Sequence, residues 1–454
     1  MTDTHLIKPI LDYDYPTVAS GQGIYLYDTD GKTYIDGCSG AVTASIGHGV
    51  PEIVEAMKAQ AEKVSFAYRA QFTSEPAEEL ARRLSEWSGG RWNWSFFVNS
   101  GSEATETAMK IAIQHWQEKG RDRKNRFISR WMSYHGITMG ALSMSGNILR
   151  RKRFIPLLED YPSVSAPYCY RCPLKEAHPG CGMKCAQELE TSILRIGPEH
   201  IAGFIAEPII GASGGAVTPP EGYYQEIKRI CDKYDILFIA DEVMTGLGRA
   251  GKKFGIEHWG VDPDIVALGK GMSAGYTPMA ATLVSDKVME PILKGSKSIM
   301  AGHTYSANPQ SAAVCLAVLD YMEKHDLVRK AEVNGEYLLA KLQEMAKRLE
   351  IVGDVRGKGM LLGLEFVPDV RTKGIFPLSL GVTARVIKRA FDKGLLVYPA
   401  SGGIDGAAGD AIIVSPPLII TQEQIDSLVS ILENSIFEVQ EELRTEGHLN
   451  KAAV

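Results

Sequence analysis

ILFIADEVMTGLGRAG, residues 236–251, opens on five apolar side chains and then turns abruptly to Asp241-Glu242 and a glycine-rich run. A strand with one wet face would alternate polar and apolar; this one does not, so both its faces must be covered. PDIVALGKGMSAGYTPMAAT, at 263–282, has the same form, an apolar strand that ends on Gly269-Lys270-Gly271. Working outward, apolar strand candidates recur at 95–98 (SFFV), 126–129 (RFIS), 201–208 (IAGFIAEP) and 279–284 (MAATLV), with helical stretches between them. This alternation predicts an α/β protein whose large domain is built on a mostly parallel sheet. Ligands of such sheets bind beyond the carboxyl ends of the strands.

The flanks read differently. IYLYDTDGKTYIDG (24–37) alternates around Asp30-Gly31, a tight-turn pair, and a helix with proline at its start is expected at Pro51–Lys63. Near Tyr321 long amphipathic helices begin to alternate with strands such as GMLLGLEF (359–366). We therefore expect a large domain over 71–322, inserted between segments 1–70 and 323–454 that form a small α+β domain. At 454 residues the chain suits two domains sharing a cleft. A net charge of −6, with Lys and Arg spread along the chain, argues against nucleic acid as a partner. The start has no basic segment leading into an apolar one, and no apolar run reaches spanning length, so a cytoplasmic location is expected.

Of seven cysteines, Cys38, Cys231 and Cys315 sit in apolar contexts as small core residues. Cys169, Cys172, Cys181 and Cys185 form a CxxC followed by a CxxxC in a segment rich in Pro and Gly. That spacing can close a tetrahedral zinc site. Reduced thiols in a surface loop are the plainer reading, and no metal is expected.

Three clusters carry chemistry. In VNSGSEATETAMKIA (98–112), Ser100-Gly101-Ser102 precede a helix expected from about Glu103, so small residues and backbone N–H groups meet at a phosphate-suited helix start. Asp241 ends a buried strand, where its carboxylate needs a cation or strong donors. Lys270 ends another, where lost solvation lowers its pKa and makes its amine a nucleophile. A carboxylate for a pyridinium proton, an imine-forming lysine and a phosphate cradle are what an aldehyde-bearing pyridine cofactor requires.

With DEVMTGLGRAG, the Asp241-to-Lys270 spacing and GKGMSAGYTPMAA, the chain resembles class III (subgroup II) aminotransferases of pyridoxal-phosphate fold type I. SIGHGVPEI (45–53), SYHG (133–136), AEP (206–208), GHTYSANP (302–309), VRGKGMLLGLEF (355–366) and SPPLIIT (415–421) extend the likeness along nearly the whole chain. The resemblance implies pyridoxal 5'-phosphate bound to Lys270, with Asp241 on its ring nitrogen and Val243 under the ring. It implies Tyr134 on the other face, with His135 and Gly136 completing that loop, and Glu207 near the entrance. Ser100, Gly101 and Ser102 would hold the phosphate, joined by Thr304 from a partner in a homodimer or tetramer. Ala41, Val42, Phe66, Tyr68 and Arg69 resemble entrance positions, and Arg69 or Arg171 is a candidate for a substrate carboxylate. Two positions depart from relatives: Met244 stands where some have Gln, and Ser415 where some have Arg.

The implied activity is amino transfer from an amine or ω-amino acid to a 2-oxo acid, with pyruvate expected, by a ping-pong mechanism through a Lys270 aldimine. The alternative outcomes of the same site are an aminomutase, a decarboxylase or a phospho-lyase. A binding-only module is disfavoured by Lys270, Asp241, Tyr134 and Thr304 standing together.

Overall fold

The apolar strands of the middle of the chain become its central sheet, in a computed structural model that describes residues 4–404 and 407–449. In chain order the strands are β1 (Val18–Gln22), β2 (Tyr25–Asp28), β3 (Thr33–Asp36), β4 (Trp94–Val98), β5 (Arg126–Arg130), β6 (Ser163–Val164), β7 (Ile201–Ala206) and β8 (Leu237–Asp241). After them come β9 (Ile265–Leu268), β10 (Ala280–Val284), β11 (Val352–Lys358), β12 (Leu361–Phe366), β13 (Leu395–Leu396), β14 (Tyr398–Ile404) and β15 (Ala408–Val414). The central sheet has the order β4-β10-β9-β8-β7-β5-β6. Neighbours from β9 through to β6 are parallel, and only β10 runs antiparallel, to β9 on one side and β4 on the other. The carboxyl ends of β4, β5, β7, β8 and β9 therefore share one edge.

Adjacent residues of these strands enter opposite cores, which is why no polar alternation appears. Ile128, Phe204 and Phe238 belong to one apolar cluster, while their neighbours Phe127, Ile205 and Ile239 belong to another. The second is closed by Ala108, Ile111 and Trp116 of helix Gly101–Glu118 and by Val288 and Ile292 of helix Asp286–Lys294. The first is covered by Leu189 of helix Lys184–Ile196 and by Tyr223 and Ile227 of helix Tyr223–Lys233. Each large side chain so buried contributes about 1.5–3 kcal/mol.

The two ends of the chain build the rest together. β1, β2 and β3 form a meander whose outer strand β3 pairs in parallel with β13, Ile35 opposite Leu395. A second sheet, β11-β12-β15-β14, is antiparallel throughout. Helix Leu327–Ala346 lies so close to the β11–β12 turn that a Cβ on Gly335 would come within 2.3 Å of the Gly359 backbone. Helix Gln422–Thr445 starts in a reciprocal cap, with Thr421 and Gln424 each accepting from the other's N–H. Among the described residues no helix is long and apolar enough to cross a membrane.

Candidate active site

Five loops leave the shared strand edge and enclose a cavity of about 170 Å³. Lys270, which follows β9, opens a short 3-10 turn and takes φ of +44°, a left-handed conformation costly for a lysine. Its ammonium is pulled down to about 8, first by burial, while the carboxylates of Asp241 and Glu207 pull it the other way. Asp241, the last residue of β8, is buried. His135 Nδ1 stands 2.7 Å from its Oδ2, and since a carboxylate only accepts, the ring nitrogen donates. Asp241 Oδ1 accepts from the N–H of Val243 at 3.1 Å, turning the Val243 side chain toward the cavity. The Nε2 of His135 is buried without a hydrogen-bond partner, a polar atom left for a ligand to satisfy.

The loop after β5 supplies Tyr134, whose N–H donates to Glu207 Oε2 at 3.0 Å; Glu207 Oε1 accepts from Gly211 N at 3.0 Å. Glu207 is buried, which raises its pKa, and it acts as the clip that fixes the Tyr134 loop. The loop after β4 gives Gly101 and Ser102. The helix starts at Gly101, two residues before the position expected from sequence, because Ser100 caps it, its Oγ accepting from Glu103 N. Ser100 is thus exposed and outside the cavity lining, whereas Gly101 and Ser102 lie in the first helical turn and face it. Close packing explains the glycines: a Cβ on Gly101 would meet Val243 Cγ1 at 2.8 Å, and one on Gly136 would meet Ser102 Oγ at 2.4 Å. Free N–H groups at a helix start, a facing hydroxyl, a buried carboxylate, an amine of lowered pKa, and Tyr134 and Val243 in the wall fit a phosphorylated pyridine aldehyde.

Other expected residues go elsewhere. Thr304 is exposed and does not line the cavity of its own chain; nor does it cap the helix that follows, a role taken by Asn308. Arg69 donates to Ala301 O and lies over the Phe96 ring, and Arg171 is spent on Glu365, Lys373 O and Gly374 O. Neither lines the cavity. Met244 does line it, packed against Gly211. Ser415 is buried and gives its hydroxyl to Cys38 O. Cys38, Cys231 and Cys315 are buried, as small core residues are, and all seven cysteines are free of disulfides. Among the described residues no group of three or more His, Cys, Asp or Glu is placed to hold a metal ion.

Sequence reasoning missed Arg150. Its guanidinium lies 4.4 Å from the centre of the Tyr134 ring, and its charge acts on Lys270. No carboxylate of the described residues pairs with it. The basic run RRKR (150–153), soon after the Tyr134 loop, was the available signal.

The family model for class III aminotransferases matches residues 13–436. An uncharacterised aminotransferase of Bacillus subtilis, YodT, is 53% identical across 97% of this chain and 99% of its own. The putrescine–pyruvate aminotransferase of Pseudomonas aeruginosa is 34% identical over 94% of this chain and 93% of its own. An amine transaminase from an uncultivated Pseudomonas species, solved with pyridoxal phosphate bound, superposes with a TM-score of 0.91 at 35% identity, covering 96% of this chain and 99% of that one. The likeness runs along nearly the whole chain, so the chain belongs to the class III aminotransferases of fold type I, and pyridoxal phosphate is its cofactor.

Proposed function

We propose that this aminotransferase moves an amino group from an amine or ω-amino acid to a 2-oxo acid, with pyruvate as acceptor. The observation that carries the reading is Arg150. It is a half-buried guanidinium without a carboxylate partner, stacked on Tyr134 and within electrostatic reach of Lys270. Such a fork binds one carboxylate in two parallel hydrogen bonds. Arg150 lies behind Tyr134 rather than in the cavity wall, and no arginine lines the cavity itself among the described residues, which favours a keto acid with a single carboxylate over a dicarboxylate.

When bound, pyridoxal phosphate supplies the carbonyl that takes up the amine and the ring that accepts the electron pair as the substrate carbon loses its proton. The chain supplies the rest. Gly101, Ser102 and Gly136 receive the phosphate at the helix start, with the partner subunit's Thr304 completing the cradle in a homodimer. Val243 and Tyr134, which line the cavity, would lie against the two ring faces, and Ser100 acts by capping the helix. Asp241, oriented by His135, holds a proton on the ring nitrogen. Lys270 Nζ would hold the cofactor's aldehyde carbon and, with a pKa of about 8 and so partly neutral at neutral pH, would serve as the base for the proton of the substrate carbon.

The test is a panel of amines and ω-amino acids with pyruvate or 2-oxoglutarate. Pyruvate-dependent turnover is expected, together with an Arg150→Met variant that slows the half-reaction of β-alanine or pyruvate at least tenfold but spares that of a monoamine without a carboxylate. Preference for 2-oxoglutarate, or equal slowing of both half-reactions, would overturn the reading.

A further inference from the structure

Arg249 is fully buried, yet among the described residues no carboxylate lies within salt-bridge distance of it. Its guanidinium is held by neutral oxygens from both ends of the chain. Nη1 donates to Met360 O at 3.2 Å, to Ser415 O at 3.2 Å and to Pro416 O at 2.6 Å, while Nη2 donates to Ser39 Oγ at 3.1 Å. Ser39 Oγ in turn donates to Ser415 O at 2.8 Å. One side chain of the large domain therefore grips the N-terminal and C-terminal segments together.

What it grips is strained. Ser39 has φ of +51°, Gly40 +64° and Val42 +61°, and both non-glycine residues are buried. A β-branched residue at positive φ is a marked outlier, and such conformations persist only where surrounding contacts over-determine them. Here they do. From within the N-terminal segment, Asp36 Oδ1 accepts from Gly40 N at 2.9 Å and its Oδ2 pairs with His48 Nε2 at 2.9 Å. From the C-terminal segment, Ser415 N donates to Gly37 O and Leu418 N to Ser45 O. From the large domain come Arg249, on Ser39, and Tyr276, whose hydroxyl donates to Gly47 O at 3.3 Å and accepts from Val50 N at 2.8 Å.

The residues that leave this turn, Thr43 and Ser45, lie against the segment that carries the reacting lysine. A Cβ on Gly271 would stand 3.4 Å from Ser45 Oγ, and one on Gly275 3.5 Å from Thr43 Cγ2. Arg249 is also close enough to Lys270 for its charge to act on the amine.

We propose that Arg249 is a positioning residue: through Ser39 it fixes the strained Ser39–Val42 turn, and with it the Thr43 and Ser45 side chains that rest on the Lys270 turn, and so sets how tightly the amino donor is held. The inference uses the aminotransferase activity of the family and holds for either donor class proposed above. The fork geometry is what matters, since only a guanidinium reaches three carbonyls and a hydroxyl at once; a lysine of similar length cannot.

The test uses the holoenzyme with Arg249→Lys and Ser39→Ala. β-Alanine and putrescine serve as donor probes with pyruvate. Both variants should raise donor KM about five- to tenfold, with kcat within about twofold and the absorbance of lysine-bound cofactor unchanged. Hydrogen exchange of residues 37–45 should quicken in Arg249→Lys, a readout that stands whichever donor the wild type accepts. If Arg249→Lys does not fold, Ser39→Ala carries both measurements. A lower melting temperature with unchanged exchange at 37–45 would overturn the proposal, as would equal KM values in variants and wild type. A wild type inert to both donors with pyruvate counts against the proposed donor class, while the exchange measurement still decides the role of Arg249.

Discussion

Lys270 is a base whose folded environment favours its neutral form, and the direction of that preference sets a stability test. The unfolded amine keeps its proton up to about 10.5, the folded one up to about 8. Between those values the unfolded chain binds more protons, so apoprotein stability rises with pH across the window. Lys270→Met apoprotein should therefore be more stable than wild type below pH 8, by on the order of 2 kcal/mol once partial exposure is allowed for, and urea unfolding should show the gap closing toward pH 10.5. Lys270→Ala should abolish turnover while leaving a folded protein that still takes up cofactor noncovalently; retained activity or retained imine absorbance would contradict its role. Asp241→Asn should cost orders of magnitude in kcat, because an amide cannot stabilise the ring proton, and a loss below about tenfold, or about 1.4 kcal/mol, would remove that assignment. Lys270 and Asp241 were legible because a charge at the end of a strand buried on both faces must be compensated there, and in a parallel sheet that end is where ligands bind. Arg150 was not: its position comes from stacking on a ring sixteen residues earlier, across an irregular loop that has no period to read.

At the scale of elements, the strands were legible from their doubled burial, and helix Pro51–Lys63 from its proline start. The helix of the phosphate cradle was placed late, because Ser100 and Ser102 can each serve as a cap in sequence and only the fold selects Ser100. That choice puts Gly101 in contact with Val243, and its closeness predicts a sensitive joint between helix and cavity. Gly101→Ala, with its Cβ 2.8 Å from Val243 Cγ1, should weaken pyridoxal phosphate binding about tenfold in fluorescence titrations of the apoprotein, with little change in melting temperature. Gly335→Ala should act in the opposite way. Its Cβ would meet backbone at 2.3 Å rather than a movable side chain, so unfolding stability should fall by on the order of 2–3 kcal/mol while cofactor affinity holds.

At the scale of the whole molecule, Thr304 lies on a surface that is unusually apolar. Phe66, Phe72, Met300 and Tyr305 are exposed at 42%, 66%, 89% and 62%, and the Phe66 and Tyr305 rings touch edge to face. Such a patch favours covering by another chain, in line with a homodimer whose sites are shared. Mixing Lys270→Ala chains with chains carrying a bulky residue at 304, each severely impaired alone, should restore part of the activity on refolding; a fully active monomer at low concentration would exclude the shared site. The closing of the β1-β2-β3 meander by β13 has a different consequence, for the order in which the protein is made. Ile35 leaves the ribosome early, but its partner Leu395 follows only after roughly 360 further residues, about 20–70 s at ordinary elongation rates. Throughout that interval the nascent chain carries an unpaired strand edge, while the central sheet, whose strands all lie between residues 94 and 284, can already close. Translation halted before Leu395 would thus release a folded core bearing a sticky N-terminal hairpin, a product suited to chaperone capture or to pairing with its own kind.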